Sequence, residues 1–317
     1  MIILMKRILK KLYNFFVTCF YNLVFPFVLQ LVNSNVFRTK KYTISLCAIF
    51  KDEAPFLKEW IEFHKIVGVE HFYLYNNDSS DDFREVIQPY IELGIVTIIE
   101  WPYPQAQMKA YKHFYENFRD ETSWVSFLDI DEFFCPKYAD TLEEWLESYK
   151  KYPVVLIYWM MFGTSGKLQH DYDSLVIEQY NISWDYLYHV GKCLINTNYD
   201  IVSFDNAAVH HSPWVKVTLG PINFKIPPVN QFGYFVPKDL FWGPTKELEK
   251  STIQINHYWS KAWNIYDNKR KKSDVFFKEN PKKKLDYFYF HERENRTSNR
   301  MIYRFLMKLK LSLNEID

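Results

Sequence analysis

The sequence predicts an α/β domain with a mostly parallel central sheet and helices on both faces. Three observations predict it. Strand-like and helix-like runs alternate from Tyr42 onward. The first of them, "TISLCAIF" (43–50), has the apolar, β-branched content of a buried strand. Polar clusters follow the strands directly, at the carboxyl ends where open α/β sheets hold their ligands.

The elements follow in order. After "TISLCAIF", the stretch "APFLKEWIEFHKIVGV" reads as a helix. Phe56, Trp60, Phe63 and Val67 recur at spacings of four, three and four, while Lys58, Glu59, Glu62 and Lys65 are expected to point away, and Gly68 is placed to stop it. "HFYLYNN" (71–77) is a second strand, and its polar turn "NNDSSDD" is placed to cap a helix over Phe83 to Leu93. "IVTIIEWP" (95–102) is a third strand, Gln105 to Arg119 a helix by its Met108, Tyr111, Tyr115 and Phe118 spacing, and "WVSFL" (124–128) a fourth strand. "TLEEWLESY" then predicts a helix and "VVLIYWMMF" a strand. Beyond about residue 163 the pattern turns irregular, until Asn299 to Leu313, where Met301, Phe305, Leu309 and Leu313 predict a helix docked on the domain.

Composition narrows the function. With 48% hydrophobic and 19% aromatic residues, the chain is that of a folded protein and not of a disordered one. Lys plus Arg (39) balances Asp plus Glu (38), leaving no overall field to attract nucleic acid. The four cysteines form no Cys-x-x-Cys pair, which argues against a zinc ribbon or a disulfide framework and points to a reducing compartment. None of the eight glycines is arranged as a phosphate-binding loop, so a bound diphosphate would need another counter-charge.

At the N-terminus, Lys6, Arg7, Lys10 and Lys11 precede an uncharged stretch from Leu12 to Val32, long enough to span a bilayer. Asn14, Asn22, Pro26 and Gln30 weaken it, and basic residues on both sides give no orientation. A span, a helix in the membrane interface and a helix packed on the domain all remain open. The expected organisation is thus an N-terminal segment over 1–41, a main domain over 42–265 and a basic helical extension over 266–317.

"FLDIDEFF" (127–134) places acids directly after an apolar run. In an extended segment alternate side chains share a face, so Asp129 and Asp131 are expected to point the same way, with Ile130 in the core. Such a pair at a strand exit can hold Mn²⁺ or Mg²⁺ and leave positions for phosphate oxygens. A capping or salt-bridging role is the competing reading. In "NNDSSDD", Asn77 and Asp78 would stand beside Asp129 at the same sheet edge, suited to hydrogen-bond a base and ribose as well as to cap a helix. His257, in "INHYW" (255–259), reads by itself as a core histidine.

Together these pieces resemble glycosyltransferase family 92 and its bacterial relatives within the GT-A fold glycosyltransferases. The matching text, over roughly residues 43 to 265, is "CAIFKDEAPFLKEWIEFHKIVGVEHFYLYNNDSSDD", "QMKAY", "WVSFLDIDEFF", "FGTSG" and "INHYW", in the family's order. The resemblance implies a GT-A nucleotide-diphospho-sugar transferase fold. It implies metal-dependent transfer of a monosaccharide from a nucleotide sugar, with UDP-galactose the best-supported donor, to a glycan or lipid-linked acceptor with inversion. It carries Glu53, Asn77, Asp78, Gln107 and Asp129 to the donor site, although the residue before Glu53, usually Asn, is Asp52 here. It carries Asp129, Asp131 and His257 to the metal. For the general base an inverting enzyme needs, Glu178 in "LVIEQY" is the first candidate and Asp205 in "VSFDNAAVHH" the second, each also readable as a surface acid. Trp159, Trp184, Trp214 and Trp242 are candidate sugar platforms or core.

Two other readings stand beside it. A nucleotidyltransferase would want a Gly-rich basic loop after the first strand, which "FKDEAPFL" is not. A non-catalytic, membrane-associated sugar-binding protein would not need Asp129, Asp131 and His257 together. Animal and plant relatives implied by the resemblance are anchored in the Golgi by one N-terminal helix. Here Asn77-Asp78-Ser79 is a glycosylation pattern inside the expected donor site, and no polar stem separates Val32 from Tyr42. The expected place is therefore the cytoplasmic face of a bacterial membrane, with a single-pass membrane protein as the alternative.

Overall fold

The computed structural model describes residues 2–32, 40–205, 208–236, 248–271 and 284–314. A long helix, α1 (Ile2–Val32), precedes the domain. The chain then runs through β1 (Tyr42–Phe50), α2 (Ala54–Ile66), β2 (His71–Asn76), α3 (Phe83–Glu92), β3 (Val96–Glu100), α4 (Gln107–Asn117) and β4 (Thr122–Phe127), the alternation read from the sequence. After a turn come β5 (Glu132–Pro136), α5 (Leu142–Leu146), β6 (Val154–Met161), α6 (Val176–Gln179), β7 (Ile182–Ser183), β8 (Gly191–Asn196) and β9 (Asp200–Ile201). Next are α7 (Ala208–His211), β10 (Val215–Leu219), β11 (Ile222–Ile226), β12 (Val229–Asn230) and β13 (Ile253–His257). The chain closes with α8 (Trp263–Lys271), α9 (Leu285–Glu294), β14 (Thr297–Ser298) and α10 (Leu306–Asn314).

The main sheet runs β3-β2-β1-β4-β8-β6-β13-β5, with β12 beside β6. Strands β1 to β4 pair in parallel, as do β6 with β13 and with β12, while β8 lies antiparallel between β4 and β6, and β5 antiparallel to β13. Strands β2 and β6 are buried along their whole length, and β1 from Ile44 onward, as expected where helices cover both faces. The antiparallel insertion of β8 has a functional consequence: its first residues lie at the edge where the parallel strands end. Gly191 makes that insertion feasible, because a Cβ there would overlap the Ile157 carbonyl oxygen.

Three local expectations are corrected. Glu59 and Glu62 do not point away from the domain but are buried. The reason is that α2 is covered on its outer face too: Glu59 accepts hydrogen bonds from the Val176 and Ile177 amides, and Glu62 meets Ser312 of α10 as well as Lys65. The turn "NNDSSDD" does not cap α3 through a side chain at Asp82. It caps α2 instead, where Asp81 Oδ2 accepts from the Ala54 amide at 2.8 Å. The predicted C-terminal helix begins as a 3₁₀ turn, Met301–Phe305, and docks through Ile302, Phe305 and Leu309 with Met301 exposed.

Helix α1 has two apolar faces. Thr18, Phe25, Val28 and Leu29 are buried, and Asn22 anchors that face by accepting from the Phe235 amide at 2.9 Å. Opposite them Phe16, Phe20, Leu23 and Phe27 are exposed. Its segment Phe15–Val32 is long and apolar enough to cross a membrane, with 22% of it buried against the domain.

Candidate active site

The polar clusters converge on one edge of the sheet. Strands β1, β2, β4, β6 and β13 all end there, and β5 and β8 begin there. The residues from Phe127 to Glu132 do not continue β4 as an extended segment. They turn, with the Glu132 amide donating to the Asp129 carbonyl at 3.1 Å, and Ile130 is buried beneath. Asp129 and Asp131 therefore reach the edge by a tight turn and not by strand alternation. The turn sends their carboxylates to different partners.

Asp131 is 5% exposed. Its Oδ1 lies 3.6 Å from His257 Nε2, and its Oδ2 accepts from Lys269 Nζ at 2.8 Å. Pairing of β5 with β13 sets His257 opposite Glu132. As a result Asp131, Glu132 and His257 offer ligand atoms that all lie within 4.8 Å of one another. Two carboxylates and an imidazole so placed are a donor set of the kind that Mn²⁺ accepts and Mg²⁺ tolerates. Burial works to raise the pKa of Asp131, but Lys269, His257 and Lys261 outweigh it and hold the carboxyl well below its usual range. Burial pushes Glu132 well up, with Lys192 opposing and Asp129 and Asp131 adding to the shift.

Asp129 has a different environment. Its Oδ2 accepts from Lys192 Nζ at 2.8 Å, its Oδ1 from Gln107 Nε2 at 3.4 Å, and its amide donates to Glu132 Oε2. Lys192 is fully buried and also lies 3.5 Å from Glu132. Burial disfavours its charge, yet Asp129 and Glu132 raise its pKa above the ordinary lysine value, so it stays an ammonium.

Around this centre, Glu53 starts α2 and faces Lys261 and Lys269 electrostatically. Asp52 before it has a left-handed backbone, and its carboxylate accepts from the Ser80 amide, tying the β1 loop to the turn after β2. Asn77 is buried, and its side-chain amide donates to the Trp101 and Tyr103 carbonyls at 2.7 and 2.9 Å. Asp78 is exposed, also left-handed, and 3.7 Å from Lys51. Gln107 is buried and also donates to the Tyr111 hydroxyl.

The candidate bases have partners outside this cluster. Glu178 on α6 is ion-paired with Lys310 of α10 at 2.6 Å. Asp205 is exposed and accepts from its neighbour Ser203. Trp159 and Trp184 are buried, Trp214 packs on Tyr21 of α1, and Trp242 lies outside the described residues.

Sequence reasoning missed Glu132 and three lysines: Lys192, Lys261 and Lys269. Lys192 left a signal, being a charge inside the apolar run "GKCLIN", where burial demands a partner. Lys261 is 3% exposed, has a left-handed backbone and lies 4.2 Å over the Phe56 ring. Nothing local marked it or Lys269.

Comparison with known proteins gives the family. A glycosyltransferase family 92 protein of Oryza sativa subsp. japonica is 32% identical over 117 residues, 37% of this chain and 20% of that protein. A galactan beta-1,4-galactosyltransferase of Arabidopsis thaliana is 30% identical over 129 residues, 36% of this chain and 25% of that protein. This chain therefore spans only about a fifth to a quarter of the length of these relatives. Among solved structures, residues 1–349 of S. aureus TarS align at 11% identity and a TM-score of 0.34, over 49% of this chain and 47% of that one. The model of glycosyltransferase family 92 matches residues 40–298, and the chain belongs to that family.

Proposed function

We propose that this glycosyltransferase moves a monosaccharide, with galactose the first candidate, from a nucleotide-sugar donor to a glycan or lipid-linked acceptor, with inversion and with a divalent cation. The observation that carries the reading is the convergence of Asp131, Glu132 and His257 at the carboxyl edge of the sheet, in a chain of family 92. Galactose follows from the similarity to plant galactan beta-1,4-galactosyltransferases.

Asp131 and His257, backed by Glu132, would hold Mn²⁺ or Mg²⁺; Asp129 keeps its place in the set as the carboxylate next to them, neutralised by Lys192. When bound, the cation supplies Lewis-acid stabilisation of charge on the leaving diphosphate. Lys192 holds the Asp129 carboxylate and with it the turn in place. Gln107 orients Asp129, Asn77 holds the loop after β3 against the donor side, and Glu53 and Asp78 line the same edge. A carboxylate, Glu178 or Asp205, takes the acceptor hydroxyl's proton. Helix α1 associates with a membrane surface. The buried Asn77 amide, which donates to two backbone carbonyls, leaves no room for a glycan, which favours a cytoplasmic location over a glycosylating compartment.

The test is nucleotide release or transfer from a panel of nucleotide sugars, with and without Mn²⁺, in wild type and Asp131→Ala. Metal-dependent turnover of one donor that the substitution abolishes is expected. Binding of no donor would remove the nucleotide-sugar reading.

A further inference from the structure

Asp131 and Lys269 form an unequal pair. The lysine ammonium donates to Asp131 Oδ2 at 2.8 Å, on a carboxylate whose side chain is 7% exposed, whereas 51% of the lysine side chain is in solvent. The aspartate is fixed by the turn and by the Tyr258 amide, which donates to its carbonyl at 2.8 Å. The lysine reaches inward from α8 on a flexible stem, and its other charged neighbours include Glu53, Asp129 and Lys261. The partner able to leave is therefore the lysine. It sits on the carboxylate that, with Glu132 and His257, makes the donor set. An ammonium and a divalent cation on one carboxylate repel each other.

Charge dictates where the ammonium goes. Glu53, Asp129 and Asp131 face Lys192, Lys261 and Lys269, three acids to three amines, while burial pushes Glu132 toward its neutral form. A divalent cation arriving with a diphosphate of two negative charges adds no net charge. The ammonium displaced from Asp131 is thus left beside the phosphate oxygens that arrived. Lys261, buried just before α8, lies near Glu53 and Asp131, which oppose the lowering of its pKa by burial.

We propose that Lys269 occupies the cation position on Asp131 in the donor-free enzyme, and turns to a phosphate oxygen of the nucleoside diphosphate when the divalent cation enters. The proposal rests on the nucleotide-sugar reading above. It makes Lys269 a donor-binding residue whose ground-state partner is its own competitor's ligand.

The test is calorimetric titration of the full chain with Mn²⁺ alone and with UDP or GDP at saturating Mn²⁺, in wild type, Lys269→Met and Lys269→Arg. Lys269→Met is expected to bind Mn²⁺ about tenfold more tightly and the nucleotide about tenfold more weakly, opposite shifts from losing one charge-assisted bond in each state. Lys269→Arg should recover most of the nucleotide affinity. Unchanged Mn²⁺ affinity in Lys269→Met overturns the proposal. So does tighter Mn²⁺ with unchanged nucleotide affinity, which would leave the lysine as a counter-ion only. In either case the nucleotide-sugar reading survives if wild type binds both ligands. A wild type that binds neither removes that reading and this proposal together.

Discussion

Lys192 Nζ donates to Asp129 Oδ2 at 2.8 Å from a side chain that has no solvent exposure. Its second acidic neighbour, Glu132, is equally buried. Replacing Lys192 by Met would keep the stem's packing and remove the charge, leaving two acids without their counter-ion. Breaking one side of a fully buried pair costs about 3–5 kcal/mol, and here the lower end applies because the Asp129 side chain is 36% exposed. Lys192→Met is therefore expected to lower the urea midpoint by that equivalent and to weaken donor binding. Lys192→Met combined with Glu132→Gln should recover part of the stability, because one of the two acids left without a counter-ion is gone. A single variant as stable as wild type would contradict the role given to the pair.

The first half of the fold was legible because its signals are local. Apolar spacing gave α2 and α4, and apolar runs gave β1 to β4, within two residues at most ends. The acids of "FLDIDEFF" were legible as a group for the same reason. Their geometry was not, since the turn between Leu128 and Asp131 is set by β5 pairing back to β13, more than a hundred residues away. Lys192 could not be connected to Asp129 from sequence, because the connection depends on β8 entering the sheet antiparallel between β4 and β6. The burial of Glu59 and Glu62 was misread on a similar ground: helical spacing shows which face is most apolar, and the covering by α6 and α10 is a tertiary event.

Glu59 gives a pH-dependent prediction. Burial raises its pKa to about 7, although the Val176 and Ile177 amides, donating at 2.7 and 3.1 Å, oppose the shift. A carboxyl whose folded pKa lies above its unfolded value contributes fully below the unfolded pKa, near 4.5, and loses that contribution as pH rises through 7. Glutamine has no charge to desolvate. Relative to wild type, Glu59→Gln should thus gain about 3 kcal/mol of stability between pH 4.5 and pH 8, measured as unfolding free energy by urea titration. A difference that is flat with pH would show that Glu59 is not held neutral in the fold.

Helix α1 carries a prediction about membranes. Its Thr18, Phe25, Val28 and Leu29 face is committed to the domain, while Phe16, Phe20, Leu23 and Phe27 remain exposed. A helix tied to its domain along one side fits the bilayer interface better than a perpendicular span. The full chain should sediment with anionic phospholipid vesicles and be released by alkaline carbonate. Phe20→Asp with Phe27→Asp should abolish sedimentation while leaving the melting temperature within a few degrees, since both residues are exposed. Retention after carbonate would favour a span instead.

The general base separates into two testable residues with different surroundings. Glu178 is 27% exposed at its side chain, tied to Lys310 through its carboxylate and to the Tyr303 hydroxyl through its carbonyl. Asp205 is exposed and, among the described residues, is held by Ser203. A general base acts on the acceptor proton and not on donor binding, so its loss should reduce kcat by about 10²–10⁴-fold with donor affinity unchanged. Glu178→Gln is expected to show that loss, and Asp205→Asn to stay within a few-fold of wild type. Lys310→Met serves as the control. If Glu178 matters only for docking α10, Lys310→Met and Glu178→Gln should cost similar stability and neither should lower kcat. If Glu178 takes the proton, only Glu178→Gln lowers kcat. The reverse result, with Asp205→Asn inactive and Glu178→Gln active, would move the base to the β9–α7 side of the site.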